Sequence, residues 1–428
     1  MSINKSLTIQ ETFNIAVKNH QEGKTDIAKK LYNQVLKIDP NHSQALKNIA
    51  IIFINLKDFQ KAKECYEKVV EIDPNSTDAY YNLGLIFKEL KEYQKAKSCY
   101  EKADNIQPNN TIIQTNLGII FNDLGENQKA KDCYEKAIEI KPNYGDVYYN
   151  LGQLLHERGE YHLAENYFKK AIQIKPSDIR ASNSLLTNLY KMNNQSILFE
   201  ELDSIINEGK MNAVIGSICS RSEVKYGVKK ENPFCNNPLD YVLKKDLNQK
   251  YDFKNVFVKC VNNILKDDSI SNRVQKLITN GYQTAGNLFA NRDFDTNEIQ
   301  KIIKIEIEKY RLYFKDSEEG FIKNWPTNYY LNGWLISMKK GGKLSAHMHD
   351  LGWLSGSIYI NVPQKSDLES GNLVVCIDEN ENKNENKKSI DVVTGSLCLF
   401  PSSLLHYTIP FESEENRIVL AFDMIPNL

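Results

Sequence analysis

Proline recurs every 34 residues through the first half of this chain, at positions 40, 74, 108, 142 and 176. A fixed period of that length confines the region to a stack of like units. Each unit is too small to bury its own apolar face and must share a core with its neighbours. The same spacing places Ala28, Ala62, Ala96, Ala130 and Ala164, and then Tyr32, Tyr66, Tyr100, Tyr134 and Phe168. A third set comprises Leu83-Gly84, Leu117-Gly118 and Leu151-Gly152, with Ile49-Ala50 and Ile15-Ala16 as looser copies. Each unit reads as a helix pair. Small residues sit where the two helices cross closely, the aromatic fills the gap, and proline ends the second helix.

These marks resemble the tetratricopeptide repeat: five units, with a degenerate sixth or a capping helix from Ala181 to Tyr190. Such a solenoid curves, and the first helix of each repeat lines its concave face. There the period sets Asn14, Asn48, Asn82, Asn116 and Asn150. Asparagine is a mediocre helix former, so a column of five suggests a use. A primary amide donates and accepts at once, and a ladder of amides suits the main chain of an extended peptide without reading its sequence. The repeats of O-linked N-acetylglucosamine transferases look similar at this position. The bland alternative is that duplication copied one structural asparagine. Cys65, Cys99 and Cys133 share the period but stand a repeat apart, so they read as packing residues. His20, His42, His156 and His162 read as surface residues.

With 54 Lys+Arg against 55 Asp+Glu and a net charge of −1, the 428-residue chain offers no global argument for nucleic acid or a membrane surface. The longest apolar stretch, Ile49 to Leu56 with Asn55 as its one polar residue, is far short of the ~18 residues a membrane helix needs. The start, Met-Ser-Ile-Asn-Lys-Ser, has no apolar core, so no signal peptide is expected. Eight cysteines without a Cys-x-x-Cys pair suit a reducing compartment. A soluble, cytoplasmic protein is the expectation.

The period ends near residue 194, and residues 195–274 read as a helical connector. Helical spacing is expected over Phe199 to Ile206 and Val256 to Leu265, then most clearly over Thr296 to Phe314; Asn232 to Pro238 is rich in turn residues. From Tyr329 the texture becomes β. Short runs at Leu331 to Met338, Ser355 to Val362, Asn372 to Ile377, Ser396 to Phe400 and Arg417 to Phe422 are separated by turns such as Lys340-Gly341-Gly342 and Thr394-Gly395. The charged run Asp378 to Lys388 reads as a solvated strand connection. Many short strands with irregular loops suggest a sandwich or a jelly roll.

Three of the chain's seven histidines, His347, His349 and His406, fall in this last region. Positions i and i+2 of a strand face one side, so His347 and His349 would share a cavity. A jelly roll would return a later strand with His406. Arg417, eleven residues on, suits a bidentate grip on a carboxylate. An open-faced metal beside a clamped dicarboxylate is the requirement of ferrous-iron oxygenation. Trp334 and Trp353 flank the site, either as core residues or as stacking surfaces.

The segments Gly341-Gly-Lys-Leu-Ser-Ala-His347-Met-His349, Leu354-Ser-Gly-Ser-Ile-Tyr359-Ile-Asn and Gly395-Ser-Leu-Cys-Leu-Phe-Pro401, followed by His406 and Arg417, resemble 2-oxoglutarate/Fe(II)-dependent dioxygenases of the prolyl-hydroxylase-like branch. Asn280 to Phe289 is similar to the region preceding that core. The resemblance spans roughly residues 275–428 and implies a double-stranded β-helix, or jelly roll, with supporting helices. It implies His347 and His406 as iron ligands and Arg417 as the partner of the C5 carboxylate of 2-oxoglutarate, with Ser355 and Tyr359 adding hydroxyl contacts. The family's common second ligand stands in His-x-Asp, and this chain has His-x-His. Strand parity makes His349 the ligand; Asp350, displaced by a strand irregularity, or a site with two protein ligands are the alternatives.

The expected architecture is therefore multi-domain α + β: an all-α tetratricopeptide solenoid over 1–194, a helical connector over 195–274 and a jelly-roll oxygenase domain over 275–428. The expected activity is Fe(II)- and 2-oxoglutarate-dependent hydroxylation of a polypeptide presented by the solenoid, with no nucleic-acid or membrane partner. Competing readings are an oxygenase of a small molecule whose repeats serve assembly, a non-catalytic adaptor with a decayed barrel, and a three-histidine cupin thiol dioxygenase.

Overall fold

The computed structural model describes residues 7–267, 272–273, 276–290, 294–378 and 386–427. The first six residues, and most of the charged run Asp378 to Lys388, lie outside them. The chain divides into two compact units, Met1–Ser182 and Asn183–Leu428.

In the first unit, ten helices alternate between 13 and 14 residues, from Ile9–Gln21 and Thr25–Ile38 to Gly145–Glu157 and Tyr161–Ile174. Each second helix ends two residues before its proline. Its buried stripe follows the spacing i, i+4, i+7: Ala28-Tyr32-Val35, Ala62-Tyr66-Val69, Ala96-Tyr100-Ala103, Ala130-Tyr134-Ala137 and Ala164-Phe168-Ala171. In three of the five pairs a glycine of the first helix meets the aromatic of the second. A Cβ on Gly84, Gly118 or Gly152 would stand 2.6, 2.4 or 2.7 Å from the ring of Tyr100, Tyr134 or Phe168. Such rings, close-packed on all sides, have nowhere to retreat. Gly118→Val is expected to destabilise the solenoid by about 2–3 kcal/mol through overpacking. Denaturant unfolding followed by far-ultraviolet circular dichroism checks this, and an unchanged first transition would refute the crossing role.

Helices Ile179–Lys191, Gln195–Asn207 and Ala213–Tyr226 follow. No helix among the described residues is long and apolar enough to cross a membrane.

The second unit is built on a ten-stranded antiparallel sheet that curls into a nearly closed, jelly-roll-like barrel. Its strands are β1 (Leu243–Asp246), β2 (Asn272–Arg273), β3 (Ile278–Thr284), β4 (Tyr329–His347), β5 (Leu354–Asn361), β6 (Leu373–Cys376), β7 (Lys387–Ile390), β8 (Ser396–Pro401), β9 (Leu405–Thr408) and β10 (Arg417–Pro426). The spatial order is β1-β8-β5-β10-β4-β9-β6-β7, and β3 also pairs with β4. Alternation sorts the two faces. Leu354, Ile358, Leu420, Phe422 and Met424 turn outward onto Ile299, Ile302, Ile303, Ile307 and Tyr310 of helix Asn297–Tyr313. Their neighbours Ser355, Ser357, Tyr359, Arg417, Val419, Ala421 and Asp423 line the interior.

Segment 195–274, expected as a helical connector, contributes β1, which pairs with β8, while Phe234, Leu247, Phe253, Phe257 and Val261 enter the barrel's outer core. The physical reason is that a curled sheet with an apolar outer face needs cover, and these residues supply it alongside the long helix.

Where the sequence predicts a turn at Lys340-Gly341-Gly342, β4 runs on. Gly341 sits at φ +68°, a conformation glycine adopts without steric cost, and the strand kinks instead of reversing. Before the kink Met338 pairs with Arg417; after it Leu344 pairs with Thr408. One strand thus serves both walls of the barrel, and its far end carries His347.

Candidate metal centre

His347 ends β4 directly opposite His406 of β9, and the loop after β4 brings back His349. The ligand nitrogens of the three side chains lie within 4.8 Å of one another, which among the described residues makes them the one group of histidine, cysteine or carboxylate donors able to share an ion. Their ring centroids are 4.3 Å (His347 and His406), 4.8 Å (His349 and His406) and 5.1 Å (His347 and His349) apart. Trp334 sets its edge against His349 and Phe400 packs near His406. Asp350 lines the same cavity as an exposed residue and is not part of the cluster.

Hydrogen bonding defines the protonation of two rings. His347 Nδ1 lies 2.8 Å from the Ser345 carbonyl, which only accepts. His349 Nδ1 lies 2.7 Å from Asp423 Oδ1, also an acceptor when ionised. Both Nδ1 atoms therefore carry hydrogen, and both Nε2 lone pairs are left facing each other 3.3 Å apart. A proton on His349 bridges them as a hydrogen bond, and a metal ion would take its place. Burial and repulsion from His349 pull His347 down to about 4. Burial pushes His406 far below the usual histidine range, and its Nδ1 has no hydrogen-bond partner. For His349 burial acts downward, but the charge and hydrogen bond of Asp423 outweigh it and hold the group above that range. Two neutral imidazoles and one carboxylate-backed imidazole form a donor set that suits Fe(II) and other divalent transition metals.

The second feature of the cavity, whose volume is about 560 Å³, is Arg417. It is 1% exposed. Nη2 donates to the Gly371 carbonyl at 3.1 Å, the guanidinium carbon lies 5.0 Å from the Tyr359 ring centre, and Nε has no partner. No carboxylate of the described residues forms an ion pair with it. Burial pulls its pKa down, as expected of a cation removed from water, while the neighbouring Tyr359 opposes the shift. An unpaired buried guanidinium calls for an anion.

Tyr359 is buried beside Arg417 and accepts from Ser357 Oγ at 3.3 Å. Ser355, expected with it on a co-substrate, lies four residues away, about 13 Å along the strand. There its hydroxyl donates to Asp423 Oδ1 and sits 2.8 Å from Ser402 Oγ. Trp353 is a core residue, its indole donating to the Phe321 carbonyl, whereas Trp334 faces the cavity. Asp423 and Ser402 were not singled out from sequence. The signal for Asp423 was nevertheless present: an acidic residue six positions after Arg417 on the same face of an otherwise apolar strand.

On the solenoid, Asn82 and Asn116 donate to their own helices, at Asp78 O (2.7 Å) and Ile112 O (2.9 Å), and Asn48 donates to the Tyr32 hydroxyl at 3.2 Å. Asn14 accepts from Gln10 at 2.9 Å, and Asn48, Asn82, Asn116 and Asn150 are half-buried. Cys65, Cys99 and Cys133 are half-buried thiols that burial pushes up to about 11.

Fold and site together define a helical repeat array joined to a barrel with a triple-histidine centre and a buried arginine. Residues 332–423 match the family described as "Putative 2OG-Fe(II) oxygenase", and tetratricopeptide repeat families match 13–42, 43–76, 77–110 and 110–177. The chain carries tetratricopeptide repeats and a C-terminal domain that matches that "Putative 2OG-Fe(II) oxygenase" family. No curated protein matches it. Among solved structures it is similar to MamA, with 31% identity over 38% of this chain and 95% of that one, at a TM-score of 0.37. It is also similar to YrrB, described as a TPR protein with an unusual peptide-binding site, with 21% identity over 41% and 90% and a TM-score of 0.37. A third is pilF of Pseudomonas aeruginosa, with 19% identity over 51% and 97% and a TM-score of 0.42.

Proposed function

We propose that the barrel is a hydroxylase that holds Fe(II) through His347, His349 and His406 and grips 2-oxoglutarate through Arg417 and Tyr359, and that its substrate is a polypeptide held by the asparagine column of the solenoid. The proposal includes a cytoplasmic setting. The observation that carries it is the pairing, in one cavity, of three histidine side chains whose ligand nitrogens lie within 4.8 Å of one another with a buried arginine that has no carboxylate partner. Bound Fe(II) supplies the dioxygen chemistry that couples oxidative decarboxylation of 2-oxoglutarate to succinate and CO2 with hydroxylation of an unactivated C–H bond. Within the chain, Arg417 fixes one end of a dicarboxylate by charge-assisted hydrogen bonds. Met338, Leu344, Leu373 and Val419 line the cavity with apolar surface that keeps water from the reacting atoms.

The test is 2-oxoglutarate consumption and succinate release by anaerobically prepared protein given Fe(II) and then oxygen. Uncoupled turnover supports an oxygenase. Absence of both turnover and 2-oxoglutarate binding to the Fe(II) form would leave the adaptor reading in its place.

The peptide part has its own test. Each asparagine that bonds a peptide main chain contributes about 1 kcal/mol. Asn82→Ala combined with Asn116→Ala is therefore expected to raise KM for a peptide substrate on the order of 10–30-fold with kcat little changed. An unaltered KM would sink the ladder and favour a small-molecule substrate.

A further inference from the structure

Asp423 is 4% exposed and has no lysine or arginine partner among the described residues. Its surroundings form a chain of donors aimed at one oxygen. Ser355 Oγ donates to Asp423 Oδ1 at 2.8 Å and so accepts at 2.8 Å from Ser402 Oγ; the ring of His349 meets the same oxygen at 2.7 Å. The loop carrying His349 is shaped to reach it. The Gly352 amide donates to the His349 carbonyl at 3.2 Å, and a Cβ on Gly352 would stand 2.5 Å from Ser402 Oγ and 3.3 Å from Asp423 Oδ1. A glycine is what lets this loop close over the carboxylate.

A buried carboxylate with no lysine or arginine beside it is costly, and so is a divalent ion among three neutral imidazoles. Each supplies what the other lacks. We infer that Asp423 is a positioning residue: held by Ser355, it fixes the proton of His349 on Nδ1, aims the Nε2 lone pair at the metal, and lends the three-histidine centre its negative charge. The assignment rests on the metal reading above. It also gives Ser355 a task at the histidine end of the barrel. Carboxylates of this kind, hydrogen-bonded to the far nitrogen of a ligand imidazole, raise ligand basicity, and losing one costs metal affinity on the order of 10–100-fold.

The experiment is an anaerobic Co(II) titration followed by visible absorption, on the full-length wild-type protein, His406→Ala and Asp423→Asn. Wild type is expected to bind one equivalent, His406→Ala none, and Asp423→Asn about 10–100-fold more weakly with a shifted spectrum. Wild-type affinity in a folded Asp423→Asn would overturn the inference while leaving the metal site standing. Failure of the wild type to bind would overturn both. Should Asp423→Asn not fold, nitrogen-15 chemical shifts of the histidines in metal-free wild type decide the matter in alkaline buffer. His349 is expected as the Nδ1–H tautomer, and the Nε2–H tautomer would overturn the inference.

Discussion

His406→Ala is expected to abolish metal binding while leaving the barrel folded. The ring is buried between His347 and Phe400, and Nδ1 makes no hydrogen bond. Its removal therefore deletes chiefly packing. The metal-free melting temperature should move by only a few degrees, as a loss of about 1–2 kcal/mol would in a unit of this size. The effect on binding is far larger. A ligand that stabilises only the folded state adds about 2.7 kcal/mol at a concentration 100 times its Kd. Wild-type protein should show that rise in melting temperature with Fe(II), and His406→Ala should show none. An equal metal-dependent rise in both proteins would mean that the three histidines are not the site.

Arg417→Met is expected to have opposite effects on affinity and on stability. A buried arginine that hydrogen-bonds a ligand carboxylate is worth about 2–5 kcal/mol when truncated, so 2-oxoglutarate should bind roughly 30-fold to several-thousand-fold more weakly. In the ligand-free protein the same guanidinium is a buried cation with one carbonyl acceptor, Gly371, no carboxylate partner and an unpartnered Nε. Methionine, of similar length and uncharged, removes that desolvation cost; replacing whole buried ion pairs by hydrophobic residues has stabilised proteins by about 1–4 kcal/mol, and the sign is expected to be the same here. The ligand-free variant should melt higher than wild type, and 2-oxoglutarate should no longer raise its melting temperature. A variant that melts lower and still responds to 2-oxoglutarate would show that Arg417 is a structural cation.

The solenoid was legible because each of its rules is local. Gly118 and Tyr134 lie 16 residues apart, meet within one helix pair, and recur with the period. The barrel was legible only where strands are long or marked. β5, β6, β8 and β10 were expected nearly in place, but β1, β7 and β9, of four residues each, carry too little pattern to separate from loop. The Gly341-Gly342 pair misled because glycine permits both a turn and a kink, and only the partners on either side, Arg417 and Thr408, select the kink. Among the site residues, parity paired His347 with His349, although His349 stands in the loop just past the end of β4, and Arg417 came into view by its place after His406. Parity alone does not say what a side chain touches, and Ser355 lies on the expected face but bonds Asp423. Asp423 itself answers a need created by His349, 74 residues away in the chain, and that need exists only once the loop has folded.

β10 has a consequence for how such a domain can diverge. It is paired along its length with β4 and over most of it with β5, and it bears Arg417 near one end and Asp423 near the other. A strand bonded on both sides opens only with the whole barrel, so its amide protons should be among the slowest in the protein to exchange. The two groups that would face co-substrate and metal are thus fixed as a single piece. The loop Met348 to Leu351 sits at the cavity with no such constraint on Leu351, which is exposed. Selection for a new substrate has freedom at that rim, and almost none along the strand beneath it.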